Sequence, residues 1–95
     1  MIFARGSDIY FFRDSNNHEI DCILEKDDNL IPIEIKSSMT INNSFFNNFK
    51  YFEKISKKEN LNKNYLIYAG DKNQKRSIAN IITWKDLELI FNDLN

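Results

Sequence analysis

The stretch Glu19-Ile-Asp-Cys-Ile-Leu-Glu-Lys-Asp-Asp-Asn-Leu-Ile-Pro-Ile-Glu-Ile-Lys36 decides the fold. Its two arms alternate in character around a polar centre, the pattern of a tight β-hairpin with one face turned to a core. With the turn centred on Asp27-Asp28, Cys22 faces Ile33, Asp21 faces Glu34 and Glu19 faces Lys36. Ile20, Cys22 and Leu24 then share a face with Ile31, Ile33 and Ile35. Glu19, Asp21, Ile23 and Glu25 lie on the other face, beside Pro32, Glu34 and Lys36. A slip of one residue would place Asp21 among the isoleucines, so the pattern resists it, although a bulge can still shift one residue locally. Directly opposed carboxylates repel each other, and a divalent cation between Asp21 and Glu34 would reverse that.

Upstream, Ile9-Tyr-Phe-Phe-Arg13 is a β-branched and aromatic run closed by the turn-forming cluster Asp14-Ser-Asn-Asn-His18, which extends the hairpin to a three-stranded meander. Pro32 lowers the regularity of the pairing, because a proline in a strand marks an edge, a bulge or an outward-facing N–H. Downstream the period changes. From Ser44 to Lys57, Phe45, Phe49 and Phe52 form one stripe with Phe46 and Ile55 beside it, predicting an amphipathic helix capped by Asn43 or Ser44 and ending near Glu59-Asn60. Tyr65-Leu-Ile-Tyr-Ala69 follows as a strand that joins Leu30–Lys36 in parallel through a right-handed crossover. Gly70-Asp71 opens a polar loop and Asn80-Ile-Ile82 is a short strand. Thr83-Trp-Lys-Asp86 has capping-box form, with Trp84, Leu87, Ile90, Phe91 and Leu94 as the apolar stripe of a terminal helix. The expected class is α/β: a mixed sheet with an N-terminal antiparallel meander, a βαβ crossover and a C-terminal helix.

The 95 residues, 42% hydrophobic and 28% charged, suffice for one domain with one modest core. The apolar runs are too short to span a membrane and there is no signal-peptide pattern, so a cytoplasmic protein is expected. Cys22, the single cysteine, has no internal disulfide partner and is expected to be a buried, inert thiol. A formal net charge of −1 provides no overall basic field, so contact with nucleic acid would have to be local.

An Asp on one strand, with a Glu two residues before a Lys on the next, supplies hard oxygen ligands and an adjacent cation. Mg²⁺ takes one or two carboxylates, keeps several waters and leaves room for phosphate oxygens. Lys36, on the same strand face as Glu34, is placed to orient a metal-bound water or steady charge developing on a phosphate. The competing interpretation is a mixed-charge surface hairpin that needs no metal. His18 is expected to be a solvated turn residue, without a second histidine for a zinc site. Arg13 is a candidate salt-bridge partner for Asp21. Lys72, Lys75 and Arg76 form a cationic loop able to touch a phosphate backbone.

Asp21, a short hairpin and Glu34-Ile35-Lys36 together resemble the PD-(D/E)XK nuclease signature. Tyr10-Phe-Phe-Arg-Asp14, Glu19-Ile-Asp21, Ile31-Pro-Ile-Glu-Ile-Lys-Ser-Ser38, Tyr68-Ala-Gly70 and Trp84-Lys-Asp-Leu87 look like the C-terminal domain of unknown function carried by many bacterial and archaeal AAA-type ATPases. The resemblance implies a restriction-endonuclease-like fold, with Asp21, Glu34 and the Ile35 carbonyl as ligands of Mg²⁺ or Mn²⁺ and Lys36 as catalytic partner. It implies DNA as the substrate and an ATPase module as the partner. A catalytically silent interaction domain of the same ATPase is the alternative. Ile20 stands where the signature has proline. The first core helix of that fold has no counterpart beyond residues 1–6, which are expected to be its last turn, the chain being a C-terminal fragment of a larger ATPase. No Gly-x-x-x-x-Gly-Lys-Ser/Thr loop occurs in the sequence.

Overall fold

The computed structural model describes residues 2–6, 9–26, 29–56 and 64–90. Among these residues seven strands, β1 (Ile2–Gly6), β2 (Ile9–Arg13), β3 (Glu19–Lys26), β4 (Asn29–Ile35), β5 (Tyr65–Tyr68), β6 (Gln74–Lys75) and β7 (Asn80–Thr83), form one mixed sheet in the order β1-β2-β3-β4-β5-β7-β6. The expected meander is β2-β3-β4, antiparallel throughout. A 3-10 turn, Asn43–Phe46, runs into helix α1, Asn47–Ser56, and returns the chain to β5, parallel to β4. β7 adds parallel to β5, and the short β6, inside the loop expected to be irregular, closes that edge antiparallel to β7.

The segment expected to be the last turn of a helix is instead β1, paired with β2 from Ile2 opposite Arg13 to Gly6 opposite Ile9. Five residues cannot overcome the cost of helix nucleation alone, whereas the open edge of β2 satisfies their backbone groups directly. The cap of the helical segment also differs by a residue or two. The Asn42 side chain, rather than that of Asn43 or Ser44, accepts from the Ser44 N–H at 2.8 Å.

The hairpin register is as the sequence predicts from Cys22 opposite Ile33 to Lys26 opposite Asn29; the Asp27-Asp28 turn itself lies outside the described residues. β4 meets β5 only from Ile33 onward, so Pro32 stands where that side of the strand is still an edge and its missing N–H costs little. Between β2 and β3 the register breaks. Tyr10 pairs with Ile23 but Phe12 pairs with Ile20, two steps on β2 against three on β3. The extra residue is a bulge at Asp21-Cys22, and it turns Ile20 to the same side as Ile23.

The faces are corrected accordingly. Ile20 does not join Cys22 and Leu24; it is buried with Ile23, Phe12, Leu66 and Ile81 under the phenylalanine stripe of the helical segment, where Phe46, Phe49 and Phe52 are all buried. Ile31, Ile33, Tyr65, Ile67 and Ile82 form a second core on the opposite side, with Cys22 and Leu24 at its margin. The face expected to be acidic and solvated is thus the one the helix covers. Cys22, expected to be buried, is half-buried, and that burial raises its thiol above its ordinary pKa, with the Asp21 charge adding to the rise.

After β7 the chain makes a 3-10 turn, Trp84–Asp86, and residues 88–90 are helical, with Ile90 buried in the second core. The rest of the expected terminal helix, including Phe91 and Leu94, and the α1 end expected near Glu59-Asn60 lie outside the described residues. Trp84 and Leu87 are exposed rather than part of a buried stripe. The reciprocal capping box does not form: Asn73 accepts the Thr83 N–H on Oδ1 at 2.8 Å and donates from Nδ2 to Asp86 Oδ2 at 3.0 Å, and the Thr83 hydroxyl donates to the same Asp86 oxygen at 3.3 Å instead of accepting a backbone N–H. Among the described residues no helix is long and apolar enough to cross a membrane.

Candidate functional site

The bulge in β3 brings the sequence-predicted residues together in an unexpected way. Asp21 and Glu34 are not a ladder pair. The Asp21 N–H donates to Glu34 Oε1 at 3.0 Å, and the Ile35 N–H donates to Asp21 Oδ2 at 2.8 Å. Each carboxylate accepts a backbone N–H from the other strand, just beyond the Cys22–Ile33 pair where the β3–β4 ladder begins, and such charge-assisted bonds are among the stronger ones available to a backbone donor. Asp21 remains exposed, whereas Glu34, on the helix side of the sheet, is 1% exposed.

Glu34 has two further partners. Its Oε2 accepts from Asn48 Nδ2 on α1 at 3.3 Å and lies 3.7 Å from Lys36 Nζ. Burial pushes the Glu34 carboxyl above the usual carboxylate range. The Asp21 N–H opposes the rise, the Asp21 charge adds to it, and Asn48 and Lys36 oppose it. Lys36 is anchored by its own N–H, which donates to the Ile67 carbonyl at 2.8 Å, and its ammonium lies 5.3 Å from the centroid of the Phe45 ring. Asp21, Glu34 and Lys36 therefore share one locus at the C-terminal end of β4, beside the first turns of the helical segment. Ile35 contributes backbone there, while its side chain is 57% exposed.

Among the described residues no group of three or more His, Cys, Asp or Glu side chains converges. A magnesium ion does not require one, since two carboxylate groups plus water make an ordinary magnesium site. The donors here are hard oxygens, and the charge of Asp21 acting on buried Glu34 is the kind of repulsion that a cation relieves.

Other pairings differ from expectation. Arg13 joins Glu19, through Nε at 3.2 Å and Nη2 at 3.1 Å, rather than Asp21, and Lys36 joins Glu34 rather than Glu19. His18 is stacked on Tyr51 with ring centroids 3.6 Å apart and the planes within 3°. Asp14 closes that turn by accepting the N–H groups of Asn16 and His18, each at 2.9 Å, and the Tyr51 hydroxyl at 2.5 Å. Asn17 supplies the left-handed residue, at φ 65°, which asparagine tolerates. Asn48 and Phe45, which touch Glu34 and Lys36, were not legible as site residues. Their spacing of three puts them on one edge of the helical segment, and that is the signal that could have marked them.

A family model for a domain of unknown function, DUF4143, matches residues 2–87, and the chain belongs to that family. No curated protein and no solved structure matches the chain.

Proposed function

We propose that this member of the family is a divalent-metal-dependent, nuclease-like domain of PD-(D/E)XK type with a restriction-endonuclease-like core, acting on DNA beside an AAA-type ATPase module. The observation that carries this proposal is the convergence of Asp21, Glu34 and Lys36 at the β3 bulge. Asp21, Glu34 and the Ile35 carbonyl would hold Mg²⁺ or Mn²⁺, which supplies Lewis acidity and a more acidic bound water. The chain's own residues do the positioning. The Ile35 N–H fixes the Asp21 carboxylate, Asn48 and the Asp21 N–H fix Glu34, and Lys36 keeps a half-buried ammonium where phosphate charge would develop.

A specific observation favours the silent interaction domain as a second reading: the Glu34 oxygens already receive an N–H, an amide and an ammonium from the protein itself. Incubation with supercoiled plasmid and Mg²⁺ separates the two. The nuclease reading expects metal-dependent nicking that Lys36→Ala abolishes while metal binding survives. Metal binding without any cleavage supports the silent domain, and cleavage undiminished in Lys36→Ala contradicts the assignment of Lys36.

A further inference from the structure

Phe45 and Phe46 are consecutive, and each carries a cation: Lys36 at 5.3 Å from the first ring centroid and the Arg76 guanidinium at 5.6 Å from the second. Beside the second cation lies a half-open groove of about 390 Å³, between the start of the helical segment and the loop before β7, lined by Asn43, Phe46, Lys50, Arg76, Ser77 and Ile78. Among the described residues its polar lining consists of two cations, an amide and a hydroxyl, with no carboxylate. The ion pairs among the described residues are Arg13–Glu19, His18–Asp14 and Lys36–Glu34, none of which includes Lys50 or Arg76. Among the described residues, Arg76 Nε and Nη2 donate to the neutral Gln74 Oε1, at 3.3 and 3.2 Å.

The aromatic contact and the Gln74 bond hold the guanidinium in one orientation, so little side-chain entropy remains to be lost when an anion arrives. The size suits one nucleotide unit of a strand. Ser77 and Asn43 are groups that commonly contact phosphate oxygens, and the apolar floor of Phe46 and Ile78 suits a sugar. We propose that this groove is a backbone-phosphate subsite for a nucleic-acid strand running toward the Asp21–Glu34–Lys36 locus, with Lys50 and Arg76 as its phosphate ligands. This rests on the nuclease-like reading for the choice of ligand but uses different residues.

The test is fluorescence anisotropy of a short labelled single-stranded oligodeoxynucleotide on the full chain in EDTA, which removes any contribution of bound metal. The parent should bind with an affinity that falls steeply with salt. Lys50→Ala and Arg76→Gln should each weaken binding at low salt and each lower the slope of log affinity against log salt by about 1. Lys50 is exposed on α1, so its variant remains informative should Arg76→Gln unfold; circular dichroism checks both. No binding by the parent, slopes unchanged in the folded variants, or capture of inorganic phosphate without the oligonucleotide would each overturn the subsite. Salt-dependent binding through these residues, with no cleavage once Mg²⁺ is added, would leave the subsite standing and remove the nuclease reading alone.

Discussion

Asp21 and Glu34 hold their two strands together by exchange: the Asp21 N–H donates to Glu34 Oε1, and Asp21 Oδ2 accepts the N–H of the residue after Glu34. Two carboxylates that an ideal ladder would oppose lie just outside the β3–β4 ladder, which begins at Cys22 opposite Ile33, and each is satisfied by backbone. The arrangement fixes the geometry of both groups before any ligand arrives. It also makes them structurally useful in its absence.

The exchange predicts a difference between two substitutions. Asp21→Asn retains an oxygen for the Ile35 N–H and should leave stability nearly unchanged. Asp21→Ala removes the acceptor and should cost about 1 kcal/mol. Urea denaturation of the metal-free proteins checks this, and equal stabilities for the two variants would show that the bond contributes nothing.

Glu34 should impose a pH dependence of opposite sign to that of most carboxylates. Burial raises its folded pKa above the ordinary 4.5, so between the two values the folded protein binds more protons than the unfolded chain. Stability therefore falls as pH rises from 4.5 through the raised value. Glu34→Gln should flatten that part of the profile, measured by urea denaturation at successive pH values. A parent profile that climbs throughout this window, with Glu34→Gln leaving it unchanged, would contradict the burial argument.

Asp14 acts in a separate, more acidic window. Its carboxyl is lowered from 3.8 to about 2, chiefly by the Tyr51 hydroxyl. Its contribution is present above 3.8 and lost as pH falls from 3.8 to about 2. Tyr51→Phe keeps a ring to stack on His18 but removes the hydroxyl, so the Asp14 titration followed by NMR should move up toward the ordinary value. An unmoved titration would place the cause elsewhere.

Gly70→Ala should destabilise the fold by about 1–3 kcal/mol, the usual cost of overpacking. A Cβ there would strike the Tyr68 ring and come within 2.8 Å of the Met39 carbonyl oxygen. The ring cannot easily retreat, because its hydroxyl donates to the Lys72 carbonyl at 2.6 Å. Chemical denaturation of the variant measures the loss, and parental stability would mean that the loop yields.

The hairpin register, the crossover and the co-location of Asp21, Glu34 and Lys36 were legible because period-2 alternation, a phenylalanine stripe and short spacings are local signals. The side of the sheet that the helix covers was not. Alternation through Ile20-Asp21-Cys22 reads as regular, and only the pairing of Phe12 with Ile20 shows that a residue has been inserted there. Glu34 consequently looked solvated and is buried beside Asn48. Likewise Thr83 and Asp86 form a sound local capping motif, but Asn73, distant in sequence, outcompetes it. Where a long-range partner decides, the local pattern is silent.

The central claim is that Asp21 and Glu34 together hold a divalent cation, and titration of the full chain with Mn²⁺, followed by loss of the free-ion electron paramagnetic resonance signal, tests it most directly. The parent should take up one Mn²⁺, more tightly as pH rises and Glu34 ionises, with Mg²⁺ competing. The folded Asp21→Asn/Glu34→Gln double variant should take up none at the same concentrations. No uptake by the parent, or equal uptake by parent and double variant, would contradict the claim.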